Sequence, residues 1–236
     1  MKPIVRNTGA ARALPAYRST VAAVLALALA GCMTSRIEQE RTASTGLEDG
    51  ESMVVLARSY HTGNSTEEDF VDCVSKQLQK RKRGVNVYDD DQFLDDFYPW
   101  FEPRTEPTSA KDLPGLLQAE AVSTALAQAG IRYIVWLEGE TDYRDGGGGI
   151  SCAVGPGAMG CFGLTWYEEG AVYEASVWDL KSLRSAGRVA ADVNGMSMIP
   201  AVVIPVPLVA PTQTTACKRL AEQLTVFIDG GVAAAP

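Results

Sequence analysis

"IRYIVWLEGET", residues 131–141, is the stretch whose reading decides the fold. Tyr133 to Leu137 are five consecutive apolar residues. A run of that length, bounded by polar residues, reads as a buried strand and predicts a central place in a sheet. Upstream, "DLPGLLQAEAVSTALAQAG" predicts a helix with Asp112 as N-cap and Gly130 as its stop. "VNVYD", residues 85–89, reads as a strand, and so does "MVVLARS", residues 53–59. Between those two, "NSTEEDFVDCVSKQLQKRKRG" carries Phe70, Val74 and Leu78 at helical spacing. Ser65 and Glu68 match a capping box there, and Gly84 stops the helix. Downstream, "FGLTWYEEG" and "AVYEASVWDL" are sheet-forming segments, and "DLKSLRSAG" turns the chain into "RVAADVNG" as a hairpin. "TQTTACKRLAEQLTVFI" closes the series as a helix with Ala216, Leu220, Leu224 and Phe227 on one face. The order β-α-β-α-β-β-β-α predicts an α/β (α+β) domain: a mixed sheet with helices packed on one face.

The beginning of the chain is of another kind. Lys2, Arg6, Arg12 and Arg18 precede the uncharged run "VAAVLALALA", and residues 1–31 contain no acid. A basic segment followed by an apolar one of this length is a secretory signal, too short for a stable bilayer anchor. Its ending, Leu29-Ala30-Gly31-Cys32, resembles the lipobox of bacterial lipoproteins. That resemblance implies cleavage before Cys32 and acylation of its thiol and amine; two or more acyl chains hold a protein stably on a membrane. Met33 follows Cys32 in place of an inner-membrane-retaining aspartate, which implies an outer-membrane, periplasm-facing address. The expected organisation is signal peptide 1–31, flexible tether 32–52, one periplasmic domain 53–228 and a loose tail 229–236. The element order of the domain is similar to that of the curli-secretion lipoproteins and of the N-terminal domain of the Tol-system β-propeller protein. The likeness covers order alone.

The chain carries a net charge of −8; the first 31 residues contribute four positive charges, which leaves −12 for the rest. Such an acidic domain is a poor partner for nucleic acid. Five cysteines less Cys32 leave four, an even number that suits disulfides in an oxidising compartment. Four allow three pairings; proximity in sequence favours Cys152 with Cys161, and Cys73 with Cys217 then joins the first and last helices. No Cys-x-x-Cys occurs and His61 is the single histidine, so no zinc site is expected.

Each chemically suggestive segment has a plainer reading. "YDDDQFLDDFYPWFEPRTEP", residues 88–107, clusters Asp89, Asp90, Asp91, Asp95 and Asp96 among aromatics. The spacing does not match a calcium loop, and a short acid-capped helix over packed aromatics accounts for it. Trp100 and Phe101 are also candidates for a partner patch. "DGGGGISCAVGPGAMGCFG", residues 145–163, has no lysine or arginine to neutralise a phosphate and reads as a flexible hairpin loop stapled by Cys152 and Cys161. Glu138 and Glu140 could do acid–base work, or could simply end a strand in solvent. "IPAVVIPVPLVAP", residues 199–211, is wholly apolar, but Pro200, Pro205, Pro207 and Pro211 exclude a helix and a central strand. Burial across the domain is its expected fate; an exposed ridge including Val203 and Val206 is the alternative. The sequence thus predicts a lipid-anchored, non-catalytic binding or assembly accessory of the outer membrane. It is expected to need no cofactor, to be held on the membrane by its lipid and to have a protein partner in the envelope. A carboxylate-based envelope hydrolase and a subunit of a lipoprotein ring or channel are the alternatives.

Overall fold

The computed structural model describes residues 33–57, 66–80, 85–102, 104–107 and 111–230. The signal segment, Cys32, His61, Ser65, Gly84 and residues 231–236 lie outside the described residues.

A six-stranded mixed sheet forms the frame, in the order β1-β6-β5-β4-β2-β3. Its strands are β1 (Met33–Arg41), β2 (Ser52–Ala57), β3 (Val87–Tyr88), β4 (Ile131–Gly155), β5 (Ala158–Asp179) and β6 (Arg184–Pro205). Five helices accompany it among the described residues: α1 (Glu68–Gln79), α2 (Asp90–Asp96), α3 (Leu113–Leu117), α4 (Glu120–Gln128) and α5 (Thr212–Ile228). β2 runs parallel to both β3 and β4, whereas β4, β5, β6 and β1 are antiparallel in succession. The expected class and mixed sheet are therefore present.

The placement of the helices is not as expected. They cover both faces of the sheet. Alternation along β4 sends Tyr133, Val135 and Leu137 into a core with α1 and α5. Ile134 and Trp136 enter a second core with Phe93, Phe97, Leu113, Leu117, Val122 and Leu126 from α2 to α4. The five apolar residues have no polar face because neither side of the strand meets water, which is the condition of a doubly covered strand. On the first side Phe70 of α1 stacks on Tyr173 of β5, with ring centroids 3.5 Å apart.

The tether reading of residues 33–52 is corrected as well. Residues 33–41 are an edge strand, paired with β6 from Met33↔Gly195 to Arg41↔Gly187. The following loop reaches back into the core, where Gly46 both donates to and accepts from the Tyr133 hydroxyl at 3.0 and 2.9 Å. Tyr133 is fully buried, and its hydroxyl requires such a partner. β1 shows no apolar period because only Ile37 packs against the core. Backbone pairing specifies it, and an edge strand can be polar on both faces.

Local endings differ in detail. α1 has Glu67 as its N-cap residue, with no side-chain cap bond; the Ser65 half of the expected capping box lies outside the described residues. The single helix expected over residues 112–130 is two short ones, α3 and α4, and Gly130 at φ +71° ends the second.

Both expected disulfides are present: Cys73–Cys217, which ties α1 to α5, and Cys152–Cys161. They close loops of very different length, with sequence separations of 144 and 9. In the chain-entropy view the long loop contributes about 5 kcal/mol and the short one roughly 3 kcal/mol. Replacing Cys73 and Cys217 together by Ala should therefore lower the urea midpoint more than replacing Cys152 and Cys161. Equal shifts in the two double mutants would contradict that ranking.

Candidate functional site

Residues 145–163 are no loop. β4 continues through them to Gly155, turns at Pro156-Gly157 and returns as β5. Together with the end of β6 they form a three-stranded tongue that runs beyond the helices. β4 and β5 pair in register from Gly146↔Tyr167 to Gly155↔Ala158, and β5 pairs with β6 out to Cys161↔Val203. The disulfide Cys152–Cys161 is a rung between directly opposed residues. Two glycines make this pairing possible. A Cβ on Gly148 would lie 2.1 Å from the Leu164 carbonyl oxygen, and one on Gly163 would lie 2.1 Å from that of Gly149. Both have positive φ, +95° and +151°, so any other residue would be strained as well as crowded.

The tongue exposes apolar side chains. Phe162 is 77 % exposed, Val202 72 % and Val154 80 %. The registers Phe162↔Val202, Leu164↔Pro200 and Trp166↔Met198 place those three pairs on one face. The β4 partners on that face are Ser151, Gly149 and Gly147, all small.

This disposes of the burial expected for residues 199–211. β6 carries the segment as far as Pro205, and the chain then folds back so that Leu208 bridges Met198. Ala201 is buried, but Val203 and Val206 are exposed at 63 % and 46 %. Few backbone groups are available to hold the segment deeper, because its prolines lack donors. Val203 has φ +86°, a rare conformation for a β-branched residue. The other two candidates for a partner patch part company with these. Phe101 is 3 % exposed and packs with Phe93 at 4.7 Å between ring centroids. Trp100 is half-buried against the same core.

At the root of the tongue, polar groups fix its direction. The Glu67 carboxylate, just before α1, accepts from the Thr141 N–H at 3.1 Å and from the Tyr173 hydroxyl at 2.6 Å. Burial, and then the hydrogen bond to that carboxylate, hold the Tyr173 phenol well above its ordinary range. Thr212, the first residue of α5, donates to Glu169 at 2.5 Å. No sequence pattern linked Glu67 to Thr141 and Tyr173, or Glu169 to Thr212. Their spacings of tens of residues are closed only by the fold.

The acidic segment behaves as the plainer reading holds. Asp89 accepts from the Gln92 N–H at 3.0 Å and caps α2, and Phe93 and Phe97 are buried beneath it. Burial raises the Asp90 carboxyl above its usual value, opposed by a backbone hydrogen bond and reinforced by Asp91, Asp89 and Asp72. Among the described residues no group of three His, Cys, Asp or Glu side chains is arranged to hold a metal ion. Glu138 lines an open cleft of about 420 Å3 with Glu40, Glu174 and Arg188, on a part of the sheet that none of the described helices covers. A second cleft, about 260 Å3, is bordered by Arg132, Glu51 and Lys181. Arg132 there pairs with Asp179 at 2.7 Å, and Lys181 with Glu51 at 2.6 Å. Among the described residues no helix is long and apolar enough to cross a membrane.

Two sets of substitutions check these placements. Val203→Asp with Val206→Asp should leave unfolding within about 0.5 kcal/mol of wild type per site, as exposed positions do. Phe101→Ala should cost about 3–5 kcal/mol. A double Asp mutant that fails to accumulate would return Val203 and Val206 to the core. For Tyr173, the folded pKa lies above the ordinary value of 10.0. Its stabilisation is therefore complete below that value and is lost as pH rises through the higher folded one. Tyr173→Phe should cost about 1–3 kcal/mol at neutral pH and should abolish this part of the alkaline loss. Denaturant titrations of both proteins from neutral to strongly alkaline pH measure it.

Comparisons with known proteins add little. No protein-family model matches the chain, and no curated protein does. Two solved structures from Paraburkholderia phytofirmans are similar over most of their length. One is a dodecamer of a single-substitution variant of PelC, with 9 % identity, a TM-score of 0.38 and coverage of 84 % of this chain and 99 % of that one. The other is a PelC dodecamer, with 11 % identity, a TM-score of 0.37 and coverage of 85 % and 100 %. Scores this low support no argument about function.

Proposed function

We propose that this chain is an envelope lipoprotein, acylated at Cys32 and facing the periplasm from the outer membrane. Its folded domain acts as a non-catalytic binding or assembly accessory. The observation that carries the reading is the sequence Leu29-Ala30-Gly31-Cys32 immediately ahead of β1. The domain's first strand begins at Met33, so an anchor on Cys32 would hold the sheet edge with no spacer. Two disulfides are consistent with an oxidising compartment. Of the carboxylates that suggested chemistry, Asp89 caps α2 and Asp96 accepts from the Tyr88 hydroxyl at 2.7 Å. The sheet face around Glu138, Glu174 and Arg188, which none of the described helices covers, is the polar surface we propose for a protein partner.

Metabolic labelling tests the anchor. Cells grown with radiolabelled palmitate should label the wild-type chain, and Cys32→Ser should abolish the label. Undiminished labelling of the variant would overturn the proposal.

A further inference from the structure

We propose that the tongue is a second membrane-contacting element, whose Phe162 face seats in the lipid leaflet that the anchor occupies. The argument begins with charge. No Asp, Glu, Lys or Arg occurs between Gly146 and Tyr167, or between Val193 and Cys217. Those two stretches comprise the distal parts of β4, β5 and β6 and the segment folded back on them. Elsewhere after residue 32 the longest run without a charged residue is 121–131, eleven residues. Charges resume together at the root, with Arg144 and Asp145 on β4 and Glu168 and Glu169 on β5.

Aromatic residues gather at that same level. The Tyr143 and Tyr167 rings meet edge-on at 5.5 Å on one face. On the other, the Trp166 indole lies over Gly147, whose Cα would place a Cβ 3.4 Å from the indole ring. Tyrosine and tryptophan collect where hydrocarbon gives way to head groups, because one end of each ring is apolar and the other is polar. Beyond them the tongue carries Phe162, Leu164, Val202 and Ile204, all exposed.

The third observation is the level of the chain's start. Met33 lies opposite Gly195, and Gly195 lies opposite Glu169, at the boundary between charged root and uncharged tongue. β6 continues past Met33 toward the tip because β1 runs antiparallel to it. A lipid on the preceding residue would therefore attach at the level where the charges stop and the aromatics sit. This point rests on the proposed acylation of Cys32; the charge and aromatic patterns do not.

The geometry also limits the mode of contact. From Tyr167 to Ala158 the strand extends about 30 Å. That length approaches a bilayer crossing, but beyond β2 the outer edge of β4 has no strand partner among the described residues. Unpaired backbone groups are not tolerated in hydrocarbon. The tongue therefore lies at the interface and presents its apolar face to the acyl chains, with its open edge toward head groups and water.

Tryptophan placement with brominated lipid tests this. Phe162→Trp puts the probe on the tongue; Val172→Trp puts it on the same face of β5, ten residues nearer the helices. Full chains are reconstituted with vesicles of phosphatidylethanolamine and phosphatidylglycerol, with and without brominated acyl chains. The emission of the added tryptophan is taken by difference from wild type, after circular dichroism has verified the fold. Bromination should quench the residue at 162 at least twofold and leave that at 172 nearly unchanged. Equal quenching at the two positions, or none at 162, would overturn the proposal. So would a blue shift at 162 that needs no lipid and grows with protein concentration, because the face would then pack on a second copy. The mass of the intact chain reports acylation separately. If Cys32 is unmodified, the anchoring reading fails alone, and flotation of that same chain with the vesicles still decides the tongue.

Discussion

The constraint on which the rest of the structure depends is the two-sided burial of Tyr133–Leu137. A strand whose successive side chains all need cover must have helices on both faces, and the fold supplies them. α1 and α5 cover one side, and α2, α3 and α4 the other. The parallel neighbour β2 meets the same demand, with Met53 and Val55 on one side and Val54 and Leu56 on the other. Each core is fed by alternate residues of the same two strands, so a shift of one residue would exchange the two sets. Tyr133 and Phe70 differ too much in surroundings from Ile134 and Phe93 for that exchange to be tolerated.

The same strand leaves this double cover after Leu137 and becomes something else. Past Glu138 it continues as one strand, through a register shift between Tyr143 and Gly146, into glycines and then into the tongue. The Glu67–Thr141–Tyr173 and Thr212–Glu169 bonds lie where the covered region ends. They tie the start of α1 and the start of α5 to the roots of β4 and β5. The tongue is thus continuous in strand pairing with the doubly covered part of the sheet. The Cys152–Cys161 rung and the close glycine contacts give it regular pairing without helices to pack against.

Several features were legible in the sequence because they are local. Helical spacing of Phe70, Val74 and Leu78 and of Ala216, Leu220 and Leu224 reports burial directly, and all six are buried. The short aspartate-capped helix could be read from Asp89 and the aromatics behind it. The disulfide pairing followed from proximity in one case and from elimination in the other. What escaped was decided at long range. β1 carries only one residue that packs on the core, so no pattern announces it. Phe101 and Phe162 are both phenylalanines beside flexible-looking sequence, yet one is buried and the other exposed. The difference lies in what is across from each: an aromatic cluster in one case, Val202 and Ser151 of the tongue in the other.

By itself, then, the sequence determined the α/β class, the central strand, the faces of the first and last helices and the candidate lipidation site, since each rests on neighbours within a few turns or strand positions. Only the tertiary structure decided that residues 33–41 are part of the sheet, that helices cover both faces, and that the glycine-rich and proline-rich segments join as one exposed tongue. Residues 146–155 and 158–167 are adjacent, but their third strand arrives some forty residues later along the chain. An apolar run seeks cover, and whether it finds any depends on which elements lie opposite it once the chain has closed. For Ile199 to Pro211 those elements are a sheet edge and solvent.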